Sequence, residues 1–185
     1  MSAVLTKEQE SARNILETFA RYGVRKTSME EIANAAGVSR QSIYKKFGSK
    51  TRCHEWTIDT YLSVMYGRIF AALTNDQQPP MQTLHQVFDI FIGDAIEIVS
   101  NPHGTEILDD VFQSEKCSGD DWPLRLKTRL ADFLARHNLV SSEHADGIAF
   151  TLIAAGKGLL LEESSRDQFL KEMSIIIDSV VAVKN

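Results

Sequence analysis

Cysteine, proline and long apolar runs are all scarce in this chain, and each scarcity removes a class of protein. The two cysteines, Cys53 and Cys117, lie far apart and form no disulfide framework, so a reducing cytoplasm is the expected home. The four prolines fall at Pro79, Pro80, Pro102 and Pro123, which leaves the stretches between them free to run as helices. No apolar run approaches the roughly 18 to 20 residues that cross a bilayer. The longest, Ile148 to Ala155, is already broken by Thr151, so no membrane partner is expected. The opening segment MSAVLTKEQESARN has no apolar core and carries acidic residues, so it does not read as a signal peptide. His54, His85, His103, His137 and His144 show no ligand spacing with the cysteines, and adjacent Cys53 and His54 cannot readily chelate from one helix. No metal site is expected. No Ser-His-carboxylate grouping, glycine-rich phosphate loop or catalytic carboxylate pair stands out. The chain is therefore expected to be no enzyme and to need no cofactor. Asp109-Asp110 and Glu162-Glu163 read as solvated surface, and Cys117 as an unreactive thiol.

What is present is a globular, helix-forming composition with an uneven charge. Hydrophobic residues make up 43% of 185 residues, enough for a packed core. The net charge of −5 argues against a nucleic-acid partner until the chain is divided. Residues 1–50 hold nine Lys or Arg against five Asp or Glu, a net of +4, and the remaining 135 hold eleven against twenty, a net of −9. A basic head on an acidic body lets only one end approach DNA.

The head carries the most informative stretch, SMEEIANAAGVSRQSIYKKFGSK, Ser28 to Lys50. Ser28 followed three residues later by Glu31 is a capping box that starts a helix at Met29. Ile32, Ala33 and Ala36 give it an apolar face, and Gly37 stops it, because glycine enters a left-handed helix end without steric cost. Ser39 caps a second helix, Arg40 to Phe47, with Ile43 and Phe47 on its buried side. Gly48 closes it, and Ser49 opens the next helix. Small Ala33 near Gly37 lets two helices cross closely. That is a helix-turn-helix, the unit that lays its second helix in the DNA major groove. Arg40, Gln41 and Ser42 sit in the first turn of that helix, where base edges are met. Tyr44, Lys45 and Lys46 follow on its flanks, able to donate to phosphates.

The run TSMEEIANAAGVSRQSIYKKFGSK, preceded by ILETFARYGV, resembles the N-terminal domain of the tetracycline-repressor (TetR) family of bacterial transcription regulators. The resemblance covers roughly residues 8 to 55 and lies in Phe19, Gly23, Thr27-Ser28, Ile32-Ala33, Ala36-Gly37-Val38, Ser39, Ile43-Tyr44, Phe47 and Lys50. It implies a dimeric, usually repressing protein that binds double-stranded operator DNA and whose C-terminal domain binds a small molecule. Carried over position by position, Ser28, Tyr44, Lys46 and Lys50 hold phosphates, while Arg40, Gln41 and Ser42 face bases. Met29, often polar in relatives, puts a base contact from the preceding helix in doubt.

The remainder is expected to be all-α, giving about nine helices in two domains. Residues 1–50 form the DNA-binding domain, and residues 51–185 a larger ligand-binding and dimerisation domain. The first helix runs over 7–22 and buries Ala12, Ile15, Leu16 and Phe19, while Arg25 and Lys26 just beyond it can reach the DNA backbone. A long helix runs from Ser49 to about Leu73, some 36 Å. Further helices are expected over 81–100, 105–115, 123–138, 143–161 and 166–183, between proline and glycine breaks.

The last two helices carry more apolar and small residues than one partner helix covers, at Ile148, Leu152, Gly156, Leu159, Phe169, Met173, Ile176, Ile177 and Val180. Paired across a two-fold axis, they make a four-helix homodimer bundle. An ordinary core within one chain is the other reading of the same pattern. The aromatics of the middle helices read as plain core for the most part, but the family resemblance implies that several line a cavity for a small, largely apolar effector, bounded by Tyr66, Phe88, Ile92, Phe112, Trp122 and Leu126. Without sequence-specific DNA binding, the chain reads instead as a helical small-molecule or protein-binding module. The effector, the operator and the direction of regulation do not follow from the sequence.

Overall fold

The computed structural model describes residues 5–117, 119, 121–162 and 165–181. Among these there is no strand, and the helices are α1 (Lys7–Tyr22), α2 (Met29–Ala35), α3 (Arg40–Phe47), α4 (Lys50–Leu73), α5 (Pro80–Phe88), α6 (Asp94–Val99), α7 (Gly104–Cys117), α8 (Trp122–Arg136), α9 (Ala145–Glu162) and α10 (Arg166–Val180). A π-helical turn, Asp89–Gly93, joins α5 to α6, so the expected helix over 81–100 is one rod with a bulge inside it. Counted that way, the nine expected helices are all present. Glu163 and the end of the last expected helix, 182–183, lie outside the described residues, as does the side chain of Cys117.

The chain forms two compact units. The first holds residues up to Met65 together with Ile98–Cys117, and the second holds Tyr66–Glu97 and the chain beyond Cys117. The unit containing the helix-turn-helix therefore reaches past residue 50, taking in the first part of α4 and all of α7.

In the first unit, local signals set the helix ends. Thr6 Oγ1 accepts from the amide of Gln9, and Gln9 Oε1 accepts from the amide of Thr6, a capping box that opens α1. Ala12, Ile15, Leu16, Phe19 and Ala20 form its buried stripe, as the 3.6-residue period requires. Gly23 ends α1 at φ +82°, and a Cβ there would lie 3.1 Å from the His103 ring. Glycine thus answers two demands at once, the backbone turn and the seating of His103. The His103 amide donates to the carbonyl of Ala20 at 2.8 Å, tying the start of α7 to the end of α1. α7 packs along α1, α1 against α2, and α2 against α3.

In the second unit, α9 packs against α8 and α10, and α10 also covers α5 and the π turn. Leu84, Val87, Phe88, Ile92, Leu126, Leu130, Phe133, Leu134, Leu152, Phe169, Met173 and Ile177 form its core. Truncating any one of the larger of these to alanine costs roughly 2 to 5 kcal/mol. Gly156 is the close-approach position: a Cβ there would sit 3.3 Å from Phe88 and 3.4 Å from Ile92. The π turn is closed by the Asp94 amide donating to the Asp89 carbonyl, five residues back. Arg166, the first residue of α10, meets Asp89 at 2.7 Å, Asp94 at 3.1 Å and Glu97 at 2.6 Å, while Arg68 of α4 meets Asp94 at 2.5 Å. A Cβ on Gly93 would stand 2.6 Å from the Asp89 carboxylate and 3.1 Å from Arg166 Nε, so glycine leaves room for that pairing. These carboxylates raise the Arg166 guanidinium further above its ordinary range, Asp89 most of all.

Candidate nucleic-acid interface

The corner between α2 and α3 is built from backbone geometry. Ser28 Oγ accepts from the amide of Glu31 while Glu31 Oε2 accepts from the amide and hydroxyl of Ser28, at 3.2, 2.7 and 2.8 Å. Those bonds hold the Glu31 carboxyl below its usual range. Past the end of α2, Gly37 takes φ +66°, and the Val38 amide turns back to the Ala33 carbonyl at 3.0 Å. Ser39 then caps α3 by accepting from the Ser42 amide at 3.1 Å. Ile43 and Phe47 are buried and fix the rotation of α3, with Phe47 packed on Trp56 at 4.9 Å between ring centres. Once those two point inward, Arg40, Gln41, Ser42, Tyr44, Lys45 and Lys46 must point outward, and all six are exposed.

The outward side chains are not equally available. The side chains of Gln41 and Lys45 make no hydrogen bond among the described residues. The Arg40 guanidinium lies over the Tyr44 ring, 5.5 Å from its centre, and hydrogen bonding to Tyr44 raises its already high pKa. Arg40 is therefore a fixed cation at the start of α3. The Ser42 and Ser39 hydroxyls bond each other at 2.9 Å, so Ser42 serves the cap before it serves a base. Lys46 Nζ pairs with Glu8 at 2.5 Å. Lys50, half-buried, donates to the carbonyls of Arg25 at 2.7 Å and Thr27 at 2.9 Å. Ser28 is exposed but engaged in its capping box. The S-x-x-S spacing of Ser39 and Ser42 signals their mutual cap. The partners of Lys46 and Lys50 lie 38 and 23 or more residues away, and no local pattern announces them. Arg25 and Lys26 are exposed beside this corner and extend its basic surface.

Behind the corner, Cys53 is fully buried and burial pushes its thiol up to about 11, so it stays protonated and inert. His54 meets the Phe19 ring edge-on at 5.2 Å, and its Nε2 lies 3.3 Å from Asp110 Oδ2 without hydrogen-bonding alignment. Among the described residues no group of three His, Cys, Asp or Glu side chains is placed to hold a metal ion.

Of the residues expected around an effector, five belong to the second unit. Tyr66 is fully buried and stacks on half-buried Trp122, 5.0 Å between ring centres and 4° between planes. Phe88 and Ile92 are buried at the Gly156 approach, and Leu126 is buried in α8. Phe112 is half-buried and belongs to the other unit.

The residues expected at a dimer interface divide differently. Leu152, Gly156, Phe169, Met173 and Ile177 are buried inside this chain's own core, and Ile148, Leu159, Ile176 and Val180 are half-buried. Among the described residues, the large apolar side chains left in solvent on α9 and α10 are Phe150, Leu161 and Ile175, exposed by 63%, 78% and 54%. Sequence reasoning passed over them because α9 is apolar nearly all round and α10 carries three successive isoleucines, which leaves the facing ambiguous.

Residues 14–54 match the family profile of bacterial regulatory proteins, tetR family. No curated protein matches the chain in sequence. Several solved structures share the fold over almost the whole length. A TetR transcriptional regulator from Streptomyces coelicolor, SCO0520, is similar at 18% identity with a TM-score of 0.70, over 95% of this chain and 98% of that one. A TetR regulator from Legionella pneumophila matches at 19% identity and TM-score 0.64, over 98% and 100%. KstR2 of Mycobacterium tuberculosis, described as a ketosteroid transcriptional regulator, matches at 15% and 0.61, over 97% of each.

Proposed function

We infer that this chain, a TetR-family transcription regulator by its N-terminal domain and its fold, is a one-component repressor that binds a palindromic operator as a homodimer. The observation that carries the reading is the anchoring of α3: buried Ile43 and Phe47 leave Arg40, Gln41, Tyr44 and Lys45 facing solvent within the first 50 residues, whose net charge is +4. Arg40 and Gln41 read base edges, since Arg and Gln make bidentate contacts to guanine and adenine. Tyr44, Lys45, Lys46 and Lys50 meet phosphates and set the position of the helix. Two heads related by a two-fold axis reach half-sites about 34 to 36 Å apart, or a multiple of that.

The second unit supplies dimerisation and effector binding. Phe150, Leu161 and Ile175, with half-buried Ile148, Leu159, Ile176 and Val180 beside them, offer an apolar face on α9 and α10 that a second copy covers. The effector is a small, largely apolar molecule received beside the Tyr66–Trp122 stack, with Phe88, Ile92 and Leu126 as further walls. The ketosteroid named for one structural neighbour belongs to the same apolar class. Binding shifts α4 and lowers operator affinity. No residue is assigned to catalysis, and no described helix is long and apolar enough to cross a membrane. The cytoplasm, where the DNA is, is the place of action.

A gel-shift titration with the DNA upstream of the chain's own gene tests the reading. Saturable retardation of that fragment at submicromolar protein, with weaker retardation of unrelated DNA, is the expected result. Equal retardation of both fragments would contradict sequence-specific regulation at that locus.

A further inference from the structure

Within the helix-turn-helix unit, one ammonium group is held from three sides. Lys46, in the last turn of α3, places Nζ 2.5 Å from Glu8 Oε1 in the first turn of α1. The same Nζ lies 4.1 Å from the centre of the Trp56 ring on α4 and 5.1 Å from that of Phe47. Adjacent Lys45 has no such carboxylate among the described residues. The two side chains remain 45% and 61% exposed, so the pair stands at the surface of this unit and not in the core. The backbone that carries Glu8 is fixed independently of Lys46. The Thr6–Gln9 capping box fixes the first turn of α1, and the helix N-terminus favours an acidic residue there.

A carboxylate at hydrogen-bonding distance from a phosphate-seeking lysine occupies the place that a phosphate oxygen would take. We propose that Glu8 is a built-in competitor of the DNA backbone: a phosphate gains the full charge of Lys46 only by displacing Glu8, so Glu8 sets how tightly the head holds any duplex. The exchange swaps one charge-assisted hydrogen bond for another, so the lysine gains far less than a free lysine would. It also leaves Glu8 as an uncompensated negative charge close to the phosphates. Both effects fall on all sequences alike, because neither involves a base. They lower nonspecific retention while leaving discrimination to Arg40 and Gln41. The Trp56 ring keeps the ammonium near its exchange position in either state, through the ring's attraction for a cation. The proposal rests on the DNA-binding reading above.

Exposed ion pairs are worth up to about fivefold in an equilibrium, and that sets the scale of the effect. The test uses the full chain and a duplex of arbitrary sequence three helical turns long, with fluorescence anisotropy read over a range of salt concentrations. The forms compared are the natural chain, Glu8→Gln, Glu8→Ala, Lys46→Met and Glu8→Gln/Lys46→Met, each checked for helical content by circular dichroism. Glu8→Gln and Glu8→Ala are expected to bind about two- to fivefold more tightly per head and to steepen the log-affinity against log-salt slope by up to about 0.9 per head. Combined with Lys46→Met, Glu8→Gln is expected to change affinity by less than about half as much in logarithmic terms. Unaltered affinity in both Glu8 variants overturns the proposal. An equal gain with and without Lys46 also overturns it, because Glu8 then acts only as a general negative charge. Absence of binding by every form removes the DNA-binding reading, and the exchange falls with it.

Discussion

Lys50 donates from Nζ to the carbonyl oxygen of Thr27 at 2.9 Å, and a second bond to the Arg25 carbonyl at 2.7 Å ties the start of α4 to the connection between α1 and α2. The lysine that the family resemblance assigns to phosphate binding is thus also a structural clamp. An ammonium has three donors, so two carbonyls leave one for the phosphate contact proposed above. The clamp fixes the position of that third donor, which would lower the entropy lost in the proposed contact.

Replacing Lys50 with Met is therefore expected to have two consequences. Stability falls by about 1 to 3 kcal/mol, the scale of hydrogen bonds to a charged group at a half-buried site. The salt slope of DNA binding flattens by about 0.9 per head. Thermal unfolding and a salt titration read the two separately. A loss of stability with an unchanged slope would confine Lys50 to architecture.

A second prediction concerns the charge cluster at the π turn. Arg166→Gln removes the cation that meets Asp89, Asp94 and Glu97, while Asp94 keeps its contact with Arg68. Because these groups are partly exposed, the expected loss is about 1 to 3 kcal/mol, larger at low salt. Arg166→Lys is expected to recover only part of it, since a single ammonium cannot fork to several carboxylates. Denaturant unfolding at two salt concentrations checks this, and equal stability of all three proteins would contradict it.

These cases show what was legible in the sequence and what was not. Helix ends written in neighbouring residues could be read directly: the Ser28–Glu31 box, the Ser39 cap, and Gly23, Gly37 and Gly48, all at positive φ. The inward side of α3 followed from the spacing of Ile43 and Phe47. The π turn left no such mark, because its apolar residues sit in a run, Phe88 to Ile92, interrupted only by Asp89 and compatible with an unbroken α-helix. The place of α7 in the first unit depends on His103 meeting Ala20 and Gly23, some eighty residues earlier in the chain, a relation that no local pattern expresses. The same holds for Glu8 beside Lys46 and Arg25 beside Lys50. For the outer face of α10 the difficulty was redundancy: Ile175, Ile176 and Ile177 are alike in character but exposed, half-buried and buried in turn.

That redundancy leads to a third prediction, for the proposed homodimer. Phe150→Glu and Ile175→Glu place charges on side chains that face solvent in the single chain, so helical content and folding should be kept while the mass falls to that of a monomer. Ile177→Asp, by contrast, buries a charge in the chain's own core and should unfold or aggregate it. Light scattering with circular dichroism separates the outcomes. A dimer that survives both outward substitutions would place the interface elsewhere.

A fourth prediction follows from His54, whose pKa is lowered from 6.5 chiefly by burial, with Asp110 and Glu55 opposing. The folded state thus favours the neutral ring more than the unfolded state does. That contribution is fully present above about pH 6.5 and is lost as pH falls through the lower folded value. The natural chain should lose stability over this interval more steeply than His54→Gln. Denaturant midpoints measured across acid to neutral pH provide the check, and parallel profiles would contradict it.

The central claim is that α3 reads DNA sequence through its first turn, and selection from a random duplex library tests it most directly. Repeated capture of library DNA by the purified chain is expected to enrich a two-fold symmetric sequence with half-sites about one helical turn, or a multiple of it, apart. Arg40→Ala and Gln41→Ala should each lose about 1 to 3 kcal/mol on that sequence and much less on random DNA. Enrichment of no sequence, or an enriched sequence bound equally well by both variants, would contradict the account.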